Sequence, residues 1–334
     1  MTPVLERLLA SSSLEESEAS ALFAVLADPA TEPALAGAYL AALRAKGESV
    51  PEIRGLVRAM RARMRPCDLD DPGLVDVVGT GGDHARSFNL STGAALLAAA
   101  AGAPVAKHGS GAVSGRSGAA DVLAALGVAL PDGERAARAL FEATGFTFLH
   151  APAFHPALAA VGPVRRALGT RTVFNLLGPL CNPARPAFAV IGAGTLAAAR
   201  VMAEVAAELP FTRVFVVHGA LGWDEPTPVG RFHLFDVRDG RVLHAERDPA
   251  DLGLPRCDPA ELRGSDPSAN AAALGAVLSG ERGAHRDALV LGAALALEVS
   301  GCCRDAAEGL AAAASAIDDG RAQELLRRLA CPTS

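Results

Sequence analysis

The chain has 334 residues, with 31 Lys or Arg against 37 Asp or Glu, a formal net charge of −6, and half of its residues hydrophobic. That length allows two domains of ordinary size and a large core, and the charge balance suits a soluble globular protein better than a general nucleic-acid binder. The longest apolar run, residues 94–101, is far short of a membrane span, and no basic stretch followed by a sustained apolar core opens the chain, so no signal peptide and a cytoplasmic location are expected.

The first 65 residues read as helices with clear punctuation. Ser13 and Glu16 have capping-box spacing before an apolar run from Ala21. Thr31 is placed to cap a helix that carries Pro33 in its first turn and runs to about Ala45, with Gly47 as its stop. Ser49 and Glu52 form a second box, opening a helix through Met60. Residues 66–73 have the composition of a linker. Short apolar strands at 74–78, 104–107, 146–149, 188–192 and 213–218 then alternate with helices at 91–101, 118–126, 133–143 and 196–208. This alternation predicts an α/β class with a central, mainly parallel sheet. Residues 155–182 interrupt the rhythm with a helical pattern, Pro156 and Pro163 standing near helix starts and Pro179 and Pro183 as stops; the segment is expected to pack on the N-terminal helices. Residues 230–246 alternate about Asp239-Gly240, a hairpin signal, and the tail from Pro267 returns to Ala-rich helix. The six cysteines form no CxxC pair and no zinc-ligand spacing, and are expected to be plain thiols.

Three constellations carry chemistry, each at the end of a strand. The first is Gly79-Thr80-Gly81-Gly82-Asp83, followed by Asn89-Leu90-Ser91-Thr92 at the start of a helix. Glycines let backbone N–H groups approach an anion, and a helix N-terminus adds hydroxyls and further N–H groups. The run lacks the third glycine of a dinucleotide fingerprint and the Gly-Lys-Ser/Thr of a Walker loop. The second is Lys107-His108-Gly109 leading into a Gly/Ser-rich loop. A lysine at the carboxyl end of a strand lies where α/β sheets bind ligands. The third is His218-Gly219 running to Asp224-Glu225, adjacent acids beside the only Trp of the chain. Such a pair suits Mg²⁺, a hard ion that takes one or two carboxylates, keeps waters and shares substrate phosphates.

In order and spacing GTGGD, NLST, the KHG loop, VRRALGTRTVFNLLGPLCNPA and HG…DE resemble the anthranilate phosphoribosyltransferase family over nearly the whole chain. The resemblance implies a small helical domain, residues 1–70 joined by a helical segment at about 155–183, and a large α/β domain, residues 71–334. The active site would lie in the cleft between them, in a homodimer formed through the helical domain. It implies transfer of the phosphoribosyl group from phosphoribosyl pyrophosphate to anthranilate with Mg²⁺, in tryptophan biosynthesis. Gly79, Gly82, Asp83, Ser87, Asn89, Leu90, Ser91 and Thr92 would hold the diphosphate and ribose. Lys107, His108, Gly109, Ser110, Gly111, Ala112, Val113, Ser114, Gly115 and Ala119 would complete that site. Gly79, Ser110 and Arg165 would face anthranilate, and Ser91, Asp224 and Glu225 would hold the metal.

The chain departs from the family pattern in the KHG loop. Ser110 stands for the usual Asn, Gly111 for the Arg, and Gly115 and Ala119 for serines. Losing one hydrogen bond to a charged group costs about 1.5–3 kcal/mol, enough to weaken binding at least tenfold. Two other readings share features of the sequence: a pyrimidine nucleoside phosphorylase, and a non-catalytic paralogue that binds nucleic acid.

Overall fold

The computed structural model describes residues 2–81, 87–111 and 117–331. Four helices come first: α1 (Thr2–Leu9), α2 (Glu16–Ala27), α3 (Pro33–Lys46) and α4 (Val50–Arg61). The Ser49–Glu52 box forms as expected: the Ser49 N–H and hydroxyl both donate to Glu52 Oε2, at 2.8 and 2.9 Å. Two expected caps shift. Helix α2 is opened by Glu15, whose N–H donates to Glu18 Oε2 at 2.8 Å, while the Ser13 hydroxyl accepts from Lys46 instead. Thr31 turns back to donate to Val25 O at 2.6 Å, closing the end of α2 and leaving Glu32 to precede α3.

The strands β1 (Val75–Gly79), β2 (Val105–Gly109), β3 (Phe146–His150), β4 (Phe188–Gly192), β5 (Arg213–His218), β6 (Phe232–Arg238) and β7 (Arg241–Arg247) form one sheet in the order β3-β2-β1-β4-β5-β6-β7. The first five are parallel, and β6 and β7 are the hairpin, with Asp239 at φ 52° and Gly240 at φ 68°. Two successive left-handed residues are what a two-residue hairpin turn needs. Helices α5 (Leu90–Ala100), α6 (Ala119–Ala125) and α7 (Glu134–Thr144) link the first three strands. Then come α8 (Ala151–Phe154), α9 (Leu158–Leu168) and α10 (Phe174–Leu177) before β4, and α11 (Leu196–Ala207) before β5. The tail forms α12 (Pro267–Leu278), α13 (Ala284–Val299), α14 (Ala306–Asp318) and α15 (Arg321–Ala330).

Both faces of the parallel strands are buried, as continuous Val/Ile runs require. Val75, Val77, Val105, Phe215 and Val217 pack toward α5 and α13, while Ala189, Ile191, Val214 and Val216 pack with α11 and the N-terminal helices. Helix α9 packs on α2 and α3, and α10 on α4. Pro163, expected near a helix start, is the sixth residue of α9; the helix opens after Pro156, whose carbonyl accepts from Ala159 N at 3.1 Å. All six cysteines are free thiols, and burial pushes Cys181 up to about 12. No helix among the described residues is long and apolar enough to cross a membrane.

Candidate functional site

Strand order reverses between β1 and β4, the place where open α/β sheets leave a crevice at their carboxyl ends. The glycine turn after β1 lies there, its Thr80 N–H donating to Gly192 O at 2.9 Å. Asp224 and Glu225 reach the same crevice from the loop after β5. The Gly81 N–H donates to Asp224 Oδ2 at 2.6 Å. A Cβ on Gly79 would overlap that carboxylate, so a larger residue there would push the Asp224 side chain aside. Glu225 Oε1 accepts from the Ser91 N–H at 3.0 Å, in the first turn of α5, and Oε2 from the Ser87 hydroxyl at 2.7 Å. Both acids are buried, and they line a small, mostly apolar pocket together with Val77, Leu90, Ser91 and Val190.

Lys107 is not an exposed loop charge: it is buried, and its ammonium donates to Val77 O at 2.5 Å. Burial pulls its pKa down, and the charges of Asp76, Glu225 and Asp224 oppose that pull. Asp76 is pushed up to about 6 by burial, against the attraction of Lys107. Its carboxylate accepts from His108 N–H at 3.2 Å and from Asn182 Nδ2 at 2.8 Å; the same amide nitrogen also donates to Ala106 O. His108 Nδ1 faces Gly178 O at 3.1 Å. A carbonyl can only accept, so Nδ1 carries the proton. Burial lowers His108 to about 3 and His155, whose ring centroid lies 5.0 Å away, to about 4.

These three shifts set a pH dependence. A histidine neutral in the fold but protonated when unfolded makes the unfolded state take up a proton below about pH 6.5, so stability falls with pH. Asp76 acts oppositely, because the folded state takes its proton first below about 6. Between about pH 6 and 4 the two histidines outweigh the aspartate by one proton. Replacing His155 by Phe therefore flattens the slope of stability against pH by about 1.4 kcal/mol per pH unit in that window. Denaturant titrations at pH 7, 6 and 5 read this directly; equal slopes in variant and parent rule it out.

The second loop begins below this cluster. The Ser110 hydroxyl donates to Gly111 O at 3.0 Å, and Ala119 opens α6, preceded by a Gly118 N–H bound to Asp121 Oδ2 at 2.8 Å. A Cβ on Gly111 would stand 3.1 Å from Asp121 Oδ1. Asn89 lies left-handed at φ 39°, and its amide joins Ser117, so the two glycine loops are tied to each other. Thr92 is buried in α5. Gly82, Asp83, Ala112, Val113, Ser114 and Gly115 lie outside the described residues. Arg165, on α9, places its guanidinium carbon 5.4 Å from the Phe174 ring centroid, and burial lowers its pKa. Asn175, the residue after Phe174, donates from Nδ2 to Thr80 O at 3.1 Å, which ties α10 to the first glycine turn.

Asp76, Asn175 and Asn182 are polar residues of this region to which the sequence reading gave no role. A lone acid inside the apolar run LVDVV was the available signal for the first. The two asparagines sit in a segment read for its helical pattern and as part of the family-like run VRRALGTRTVFNLLGPLCNPA, with no role given to either.

The donor set of Ser91, Asp224 and Glu225 is all oxygen and hard, as Mg²⁺ prefers. Among the described residues no group of three His, Cys, Asp or Glu forms a cage.

Two family models of glycosyl transferases match the chain, the helical bundle domain over residues 2–64 and the α/β domain over residues 71–323. The anthranilate phosphoribosyltransferase of Methylobacterium sp. (strain 4-46) is 48% identical over 328 residues, covering 98% of this chain and 97% of that one. The solved anthranilate phosphoribosyltransferase of Thermus thermophilus is 40% identical with a TM-score of 0.88 and 98% coverage of both chains. The Saccharomyces cerevisiae anthranilate phosphoribosyltransferase, solved with phosphoribosyl pyrophosphate and Mg, is 28% identical with a TM-score of 0.88, covering 97% of this chain and 95% of that one. On this evidence the chain belongs to the anthranilate phosphoribosyltransferase family.

Proposed function

We propose that this chain transfers the 5-phosphoribosyl group of phosphoribosyl pyrophosphate to the amino group of anthranilate, giving N-(5-phosphoribosyl)anthranilate and pyrophosphate in tryptophan biosynthesis. The supporting observation is the meeting of Asp224 and Glu225 with Gly81, Ser87 and Ser91 at the reversal of strand order. There the two acids are held by N–H donors, a hydroxyl and the first turn of α5, at the crevice where a polyanionic sugar would bind. Bare carboxylates would repel that ligand, and a bound cation would offset them. Ser91, Asp224 and Glu225 would hold Mg²⁺, which when bound supplies charge neutralisation of the departing pyrophosphate.

The chain's own residues do the rest. Gly79 and the Ser87–Thr92 segment hold diphosphate and ribose; Lys107 and residues 108–115 with Ala119 complete the phosphate seat. Fixed N–H groups need no reorganisation as charge grows on the leaving group. His108, with a pKa near 3, stays neutral and adds no charge to the crevice. The aromatic amine attacks in its neutral form, so no strong general base is needed, and orientation across the crevice lowers the barrier. Gly79, Ser110 and Arg165 face the acceptor, with the arginine fork meeting the anthranilate carboxylate. Arg165→Lys keeps the charge and loses the fork; the anthranilate KM rises about tenfold while the phosphoribosyl pyrophosphate KM stays put. Steady-state kinetics with each substrate varied in turn measure this, and an unchanged anthranilate KM removes Arg165 from the acceptor site.

The division into a helical unit, residues 1–70 with about 155–183, and an α/β unit, residues 71–334, is supported by the packing of α9 on α2 and α3. The homodimer and cytoplasmic location belong to the same reading. Light scattering on the purified protein decides the first. The activity itself is tested by pyrophosphate release from phosphoribosyl pyrophosphate, Mg²⁺ and anthranilate. Phosphate-dependent cleavage of pyrimidine nucleosides, or salt-sensitive DNA binding without turnover, would give the assignment to one of the alternatives.

A further inference from the structure

Residues 87–89, which lead into α5 and carry Ser87 to Glu225, are gripped by residues 262–270, about 175 positions later. The Phe88 N–H donates to Leu262 O at 3.2 Å, and Ser87 forms an antiparallel bridge with Arg263. A Cβ on Gly264 would stand 2.6 Å from Ser87 O and 2.9 Å from Phe88 Cα, so the two backbones touch with no side chain between them. The Phe88 ring rests on His285 of α13, centroids 4.0 Å apart. Asn270, in the first turn of α12 and 3% exposed, closes the grip. Its Oδ1 accepts from Ser265 N–H at 2.7 Å and its Nδ2 donates to Asn89 Oδ1 at 2.8 Å. The same Asn89 oxygen accepts the Ser117 hydroxyl at 3.0 Å.

We infer that Asn270 is a positioning residue for the phosphoribosyl pyrophosphate site, acting through Asn89. The inference rests on the function proposed above and names a residue that touches neither substrate. Asn89 precedes α5 with left-handed φ and ψ, a conformation uncommon among L-residues and most accessible to asparagine. Its side-chain oxygen is fixed by two donors, one from each side: Ser117 from the second glycine loop and Asn270 from the tail. Asn89 in turn aims the first turn of α5, where Ser91 N–H meets Glu225. Removing the Asn270 donor frees Asn89 to relax, which tilts the N–H groups and hydroxyls of residues 87–92 away from the phosphates. Arg165, on the acceptor side, lies on α9, which packs on α2 and α3 and stays in place.

Two variants test this. Asn270→Asp keeps the acceptor for Ser265 at unchanged volume and replaces the donor with an oxygen; Asn270→Ala removes the donor without adding charge. In both, the phosphoribosyl pyrophosphate KM rises about tenfold and the anthranilate KM changes by less than about twofold. Amide exchange of residues 87–92 quickens in the substrate-free protein, and in an Asn89→Ala background Asn270→Ala adds no further loss. Equal rises in both KM values, additive losses, unchanged exchange, or an effect confined to the charged variant each overturn the inference. So does failure of both variants to fold, which makes Asn270 a general structural residue. The exchange measurement needs no substrate. If the parent protein fails to turn over anthranilate, the functional reading falls while exchange still decides whether Asn270 orders this segment.

Discussion

Changing Asp224 to Asn together with Glu225 to Gln lowers turnover by about a thousandfold while the protein stays folded. The amides keep the carboxylates' shape and most of their hydrogen bonds. Asn Oδ1 still accepts from Gly81 N–H, and Gln Oε1 from Ser91 N–H. The Ser87 hydroxyl, which donates to Glu225 Oε2, turns to accept from the new amide. What disappears is negative charge facing Lys107 and the crevice, and with it the pull on a hard cation. A fold held by the same contacts melts within a few degrees of the parent, whereas a site that depends on a metal-bridged diphosphate loses its electrostatic stabilisation. Pyrophosphate release with Mg²⁺ varied, paired with a thermal melt, separates the two effects. Turnover equal to the parent's removes the metal assignment from both acids.

The parts of this molecule that sequence exposes are those dictated by local chemistry. Strand lengths followed from apolar runs bounded by Gly, and the Asp239-Gly240 turn and the Ser49–Glu52 box from residues acting within a few positions of themselves. The same rule explains the misplaced caps. Ser13 and Thr31 have the right chemistry, but their hydroxyls are taken by Lys46 and by Val25 O, and a window of a few residues cannot see that competition. In the site, residues on strand ends were legible because strand ends deliver ligands. Asp76, Asn175, Asn182 and Asn270 were not. Each makes at least one hydrogen bond to a residue between 95 and 181 positions away. Asparagine in a helical stretch carries no local mark of such a partner. The tail containing Asn270 read as Ala-rich helix and nothing more.

Gly192→Ala is the second large effect, and it acts entirely through backbone. Gly192 ends β4 beside Gly79 of β1 and Val217 of β5, and its carbonyl accepts the Thr80 N–H. A Cβ there would overlap the carbonyl oxygen of Asp224 and stand 2.7 Å from its carbonyl carbon. No rotamer relieves a clash with backbone, so the loop from Gly219 to Glu225 must lift. That loop has little room to lift, because a Cβ on Gly219 would in turn overlap Glu225 O and the Gly219 N–H is tied to Trp223 O at 2.8 Å. Overpacking of this kind costs about 1–3 kcal/mol of stability, and moving a positioned group by about 1 Å costs about a hundredfold in rate. The expected result is a folded, less stable protein whose turnover drops about a hundredfold, with weakened Mg²⁺ dependence because the acids are displaced rather than removed. Gly275→Ala is the matched control. It lies within α12 with nothing inside 4 Å of its new Cβ, so the same change of residue raises stability by about 0.5–1 kcal/mol and leaves turnover alone. If Gly192→Ala behaves like Gly275→Ala, the acids do not depend on the close seating of their loop on β4. The crevice would then have to owe its geometry to the side-chain contacts of Asp224 and Glu225 alone.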